Sequence, residues 1–186
     1  MDAMTHAIEA FVCPVYHPMC DGIALEAIRM VQHFLPRAVA DGTDLDARGQ
    51  MLVAAAMGAV AFQKDLGAAH SLAHPLSTEF GTHHGLANAI VLSAVIRFNG
   101  EADPQLYARV AHTLELPQHA NPTIAVADAI DALNAKIGIT QRLSDIGIPR
   151  DSLPKLADKA FEDGCHLTNP RKCSRDDLLR LYEAVW

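Results

Sequence analysis

Asp2 and His6 stand four residues apart, so on a helix their side chains share one face, one turn from each other. His70 and His74 repeat that spacing, and His83 and His84 follow shortly after. A carboxylate and several imidazoles converging from separate helices make a donor set for a divalent cation. Each pair taken alone reads more simply as an exposed helical face with an incidental acid or histidine. The surroundings argue the other way. Ala68, Ala69, Leu72, Ala73, Leu76, Leu86 and Ala87 are small or apolar. Imidazoles set in a dry pocket need a cation or protons to offset their desolvation.

The elements that must position these residues read as helical almost throughout. Helices are expected over Asp2–Phe11, ending before Pro14, and over Pro18–Leu35, with Pro36 kinking or ending the second. Asp44 or Asp46 caps a third that runs to Gln63, and its small-residue stretch from Ala54 to Ala59 allows a neighbour to approach closely. Two more run from about His70 to Thr78 and Gly85 to Phe98. The second is apolar enough for a buried strand, but Leu86, Ile90 and Ala94 keep helical spacing. Asp103-Pro104 starts a helix carrying Leu106, Val110 and Leu114, and Asn121-Pro122 starts another that stops at Gly138. Ser174 to Asp177 resembles a capping box ahead of the last helix. The fold class is therefore all-α, a multi-helix bundle of about eight to ten helices.

Composition narrows the function. The 186 residues suit a single helical domain, and 50% hydrophobic content excludes a disordered chain. The net charge of −7, with no run of Lys or Arg, argues against nucleic acid. The longest apolar stretch, Met51 to Phe62, is too short to span a bilayer. Cys13, Cys20, Cys165 and Cys173 form no CxxC pair and read as structural thiols in a reducing, cytoplasmic compartment. Asp2, His6 and Glu9 interrupt any signal-peptide core at the start.

Three segments together resemble the iron-containing (group III) alcohol dehydrogenases. Met1-Asp2-Ala3-Met4-Thr5-His6-Ala7-Ile8-Glu9-Ala10-Phe11 is similar to the family's first signature. Gly67-Ala68-Ala69-His70-Ser71-Leu72-Ala73-His74-Pro75-Leu76, followed by His83-His84-Gly85-Leu86-Ala87-Asn88-Ala89, is similar to the second. Thr168-Asn169-Pro170-Arg171 before the last helix also fits.

The resemblance implies a divalent metal held by Asp2, His6, His70 and His84, Fe2+ by the family's name with Zn2+ the other candidate. It places His74 beside the metal, near nicotinamide and substrate, as the catalytic and cofactor-proximal residue. His83 falls where relatives vary and stays outside the shell. Glu9 shares the Asp2/His6 face and reads as a helix salt bridge, and Asn88 either orients a ligand or caps backbone. His17, His33, His112, His119 and His166 match no motif and read as surface or local packing. Asp65 stands where relatives carry a small residue, at the turn before the ligand helix.

The implied reaction is reversible hydride transfer between a small alcohol or its aldehyde and NAD(P), with His74 relaying the hydroxyl proton. Family members pair a nucleotide-binding domain with a helical metal domain. This chain has no GxGxxG and reads as the second domain over residues 1–186, with the N-terminal nucleotide domain outside it and NAD(P) reached only through that domain. It is expected to be inactive alone and to form a homo-oligomer. The alternatives are a metal-dependent relative of the glycerol dehydrogenase or dehydroquinate synthase type, and a non-enzymatic metal-binding oligomerisation module.

Overall fold

A computed structural model describes residues 1–103 and 105–186. Among them are nine α-helices, three short 3-10 segments and no strand. The helices are α1 (Asp2–Val12), α2 (Pro18–Ala40), α3 (Leu45–Ala61), α4 (Ala68–Phe80), α5 (His84–Gly100), α6 (Ala108–Thr113), α7 (Pro122–Lys136), α8 (Leu153–Glu162) and α9 (Arg175–Val185).

The helix starts follow local chemistry. His17 Nδ1 accepts from Cys20 N–H at the head of α2, Asp44 from Ala47 N–H at α3, and Asn121 from Ile124 N–H at α7. Each satisfies an amide that the first turn leaves without a partner. Ser174 and Asp177 form a complete capping box on α9. Gly81, in left-handed conformation, closes α4.

α5 is the hub. It is buried over most of its length and packs on α1, α4, α7 and α9, which settles the helix-or-strand question in favour of helix. α1 is buried almost as fully, against α2, α3 and α5. Gly58 of α3 lets α1 come close: a β-carbon there would stand 3.2 Å from His6 Cβ and 3.3 Å from Ala3 O. Gly100 is tighter still, with Thr123 atoms within 2.2–3.0 Å of where a β-carbon would sit. Two tyrosines bury their rings with their hydroxyls paired. Tyr107 Oη accepts from Asn99, and Tyr182 Oη donates to Leu72 O.

Three stretches depart most from the sequence reading. α2 runs through Pro36 to Ala40. Pro36 lacks the N–H that would bond the carbonyl of Gln32, yet α2 continues past it for one more turn. The helix expected from Asp103-Pro104 is confined to α6, with 105–107 in a turn; Pro104 lies outside the described residues. α8 occupies a stretch for which the sequence had suggested no helix.

No single helix among the described residues is long and apolar enough to cross a membrane. One face of α3 is exposed and apolar, with Leu45, Leu52, Val53 and Val60 at the surface.

Candidate metal centre

α1 brings Asp2 and His6 to one end of the bundle core, α4 brings His70, and the first turn of α5 brings His84. One ligand atom from each lies within 4.8 Å of every other. The His6 and His70 rings stack with centroids 4.7 Å apart, and His84 Nε2 lies 3.4 Å from Asp2 Oδ1. His70 is fully buried, while Asp2, His6 and His84 are half-buried, leaving the cluster open on one side.

Burial pushes the Asp2 carboxyl upward, but the His6 charge, the Asn88 amide and the His84 and His70 charges overcome it and hold it below the usual carboxylate range. Burial, and next the His70 charge, hold His6 below the ordinary histidine value. Burial does the same for His84. These shifts favour the Asp2 anion and the neutral imidazoles of His6 and His84, the protonation states in which these side chains bind a metal.

The residues around the four are as specific as the four. Glu9 is buried, and its carboxylate serves two helices at once. Oε1 accepts from Ala69 N at 2.6 Å, satisfying an amide at the start of α4, and Oε2 lies 2.6 Å from His70 Nδ1. Glu9 is thus a cross-helix partner rather than a pair along its own helix, because its face of α1 is covered by α4's first turn. With Nδ1 held by a carboxylate, His70 turns Nε2 to the cluster, the arrangement that orients metal-binding histidines. Asn169 Oδ1 accepts from Ala68 N beside it. Gly67 makes room for both acceptors, since a β-carbon there would meet Glu9 Oε1 at 2.8 Å and Asn169 Oδ1 at 3.0 Å.

Asn88 is fully buried with Nδ2 2.7 Å from Asp2 Oδ1, 3.3 Å from His70 Nε2 and 3.2 Å from His84 Nε2. Its role is at the cluster, not as a backbone cap. Its Oδ1 is buried without a partner among the described residues. The Nδ2 donor holds the Asp2 carboxylate against the histidines, so that the four ligand atoms converge. The donor set of three nitrogens and one oxygen suits Fe2+, Zn2+ and neighbouring divalent ions.

His74 stands one turn beyond His70 and outside the four. Its ring stacks on His84 at 5.4 Å, and Nδ1 lies 2.7 Å from Asp163 Oδ2. Burial pushes Asp163 upward, but hydrogen bonds from Cys165 N–H, His74 and Ser71 hold it down at about 2. His83 is exposed at the head of α5 and does not join the cluster. His17 caps α2, and buried His166 pairs with Phe161 O, both local packing roles.

The sequence reading has no place for Asp163, and it names Ser71 and Asn169 only within the family-like segments, without a role. They come from the bend after α8, the interior of α4 and the loop before α9, and no spacing rule links them to α1. Glu9 was legible in position, since it shares the Asp2/His6 face, but its partner on α4 was not.

The turn before α4 carries strain. Asp65 has φ 101° and ψ 177°, a conformation that only glycine adopts readily. Its Oδ1 takes the next amide, Leu66 N–H.

Comparison with known proteins places this site in context. The chain is 39% identical over 192 residues to a 4-hydroxybutyrate dehydrogenase of Cupriavidus necator, covering 98% of this chain and 49% of that protein. Its fold superposes on a crystal structure of 1,3-propanediol oxidoreductase with a TM-score of 0.94 and 34% identity, covering 100% of this chain and 50% of that one. A sulfoacetaldehyde reductase from Bifidobacterium kashiwanohense, solved in complex with NAD+, matches with a TM-score of 0.84 at 27% identity, over 99% of this chain and 48% of that one. The chain thus spans about half the length of the relatives it matches. The C-terminal region of the Fe-containing alcohol dehydrogenase family matches residues 1–186, and the chain belongs to that family.

Proposed function

We propose that the chain is the metal-binding helical domain, over residues 1–186, of an NAD(P)-dependent alcohol dehydrogenase, with Asp2, His6, His70 and His84 as the metal ligands. The observation that carries this is the convergence of those four donors within 4.8 Å, with Glu9 fixing His70 and Asn88 facing the carboxylate. Fe2+ is the proposed ion, on the family's name, with Zn2+ compatible with the same donors.

The bound ion supplies Lewis acidity toward an alcohol or carbonyl oxygen, and NAD(P) supplies the hydride acceptor or donor. The chain's own residues do the rest. Asp2 contributes the single negative charge of the set. Glu9 and the first turn of α4 hold His70 rigid, so one ligand position is fixed before anything binds. Apolar Ala73 and Leu76 back the ligand helix and keep water from that side.

His74 is the proposed proton relay. Asp163 accepts from Nδ1–H, which leaves the Nε2 lone pair free to take the hydroxyl proton of an alcohol. The stack on His84 places that ring beside the ligand set. Small alcohols and aldehydes are the proposed substrates, in line with the activities for which the relatives are named. The nicotinamide cofactor is assigned to a nucleotide-binding domain outside this chain, so the chain alone is expected to be inactive. The free thiols of all four cysteines support a cytoplasmic setting. The apolar face of α3 supports packing against another surface, which we assign to a homo-oligomer.

The test is a chimera. This chain is joined to the N-terminal half of the Cupriavidus necator dehydrogenase and assayed for NAD(P)H-dependent reduction of short aldehydes. Activity that chelation removes and that is lost in His70→Ala supports the proposal. An active chimera indifferent to His70→Ala overturns it.

A further inference from the structure

A second group of metal-binding atoms stands apart from the four. His74, Asp163 and Cys165 offer an imidazole nitrogen, a carboxylate oxygen and a thiol sulfur, all within 4.8 Å of one another. His74 projects from α4, while Asp163 and Cys165 flank Gly164 where the chain leaves α8.

The carboxylate is already fixed. Asp163 Oδ1 accepts from Ser71 Oγ at 3.0 Å and from Cys165 N at 2.9 Å, leaving Oδ2 for His74. Holding a ligand by its other oxygen is how proteins orient metal-binding carboxylates. All three residues are half-buried. Dissolved ions can therefore reach them, and water can complete the shell. The other three cysteines are buried, which makes Cys165 the accessible thiol of the chain.

We propose that His74, Asp163 and Cys165 form a second divalent-cation site, selective for thiophilic ions such as Zn2+ and Cd2+. Three protein ligands with one position open to water is a common zinc arrangement, and sulfur favours Zn2+ and Cd2+ over Mg2+ or Mn2+. Charge balances: a neutral imidazole, a carboxylate and a thiolate offset the two positive charges of the ion. On binding, the thiol proton passes to water. The imidazole proton moves from Nδ1 to Nε2, freeing the Nδ1 lone pair for the ion. The metal–sulfur bond replaces the sulfur–hydrogen bond, and no redox change is involved.

One consequence rests on the proposed function, although the site itself does not. An ion on Nδ1 puts a proton on Nε2, the atom assigned to accept the hydroxyl proton. Excess zinc would then block the relay without displacing the ion held by Asp2, His6, His70 and His84.

The test is a titration of this chain with CdCl2, following the ultraviolet sulfur-to-cadmium charge-transfer absorption. The four-donor centre contains no sulfur, so this signal is blind to it, and the two assignments fail separately. The expected result is absorption equivalent to one thiolate per chain in the wild type. It should be lost in Cys165→Ser and require higher cadmium in His74→Ala, with circular dichroism showing both variants folded. No thiolate absorption in the wild type, the same absorption in Cys165→Ser, or a titration unmoved by His74→Ala would overturn the proposal.

Discussion

Replacing Glu9 with Gln tests the link between α1 and the ligand on α4 with almost no change in shape. The amide oxygen can still accept from Ala69 N, so the cap on α4 is kept. The other end of the side chain changes from acceptor to donor, 2.6 Å from His70 Nδ1. An amide N–H there forces the imidazole proton onto Nε2, the nitrogen that faces the cluster. Exchanging such an outer partner of a ligand histidine costs about 10–100-fold in metal affinity, or about 1.4–2.7 kcal/mol. Glu9→Ala is a different perturbation. It leaves both Ala69 N–H and His70 Nδ1–H without an acceptor in a buried place, at about 1–3 kcal/mol each, so about 2–6 kcal/mol of fold stability is lost. Calorimetric titration with Zn2+ in a Cys165→Ser background and thermal unfolding without metal separate the two effects. Glu9→Gln should weaken binding with little change in the unfolding midpoint, and Glu9→Ala should lower both. Nitrogen chemical shifts of His70 should show the proton on Nδ1 in the wild type and on Nε2 in Glu9→Gln. A Glu9→Gln protein that binds Zn2+ within about twofold of the wild type, well inside that expected range, would refute the reasoning.

Asp65→Gly should stabilise the chain by about 1 kcal/mol in thermal unfolding, because relief of a strained positive φ outweighs the added freedom of glycine when unfolded. Gly67→Ala should cost about 1–3 kcal/mol and weaken metal binding as well, since its β-carbon displaces the Glu9 carboxylate. Hydrogen bonds from Lys155 and Lys159 hold Glu79 down at about 2, below the ordinary value of 4.5. That α4–α8 pairing is therefore fully present above the ordinary value and lost as pH falls toward 2. Glu79→Gln should flatten this part of an acid-unfolding profile, and added salt should shrink the difference.

Much of the fold was legible because the signals were local. Asp44, Asn121-Pro122 and Ser174 each announce a helix start through chemistry within a few residues, and each start is observed. α5 was legible through spacing alone, although its apolar sequence also suited a strand. The departures have different causes. Pro36 lies inside α2 and Pro75 inside α4, so a proline did not by itself mark a helix end in this chain. α8 was missed although Leu153, Leu156, Ala157 and Ala160 keep helical spacing and Pro154 sits in its first turn. At the site, the histidines and Asp2 stood out by type and interval. Glu9 and Asp163 did not, because their partners lie in other elements, and only the folded chain brings carboxylate to imidazole.

The most direct measurement of the central claim is the metal content and coordination of the wild type beside His70→Ala. After anaerobic loading with Fe2+ and removal of loose ions, mass spectrometry counts bound metal, and X-ray absorption reports its shell. The account predicts one tightly held ion per chain, with three imidazole nitrogens and one carboxylate oxygen, and its loss in His70→Ala. A His70→Ala protein that keeps a full equivalent in an unchanged shell would contradict it.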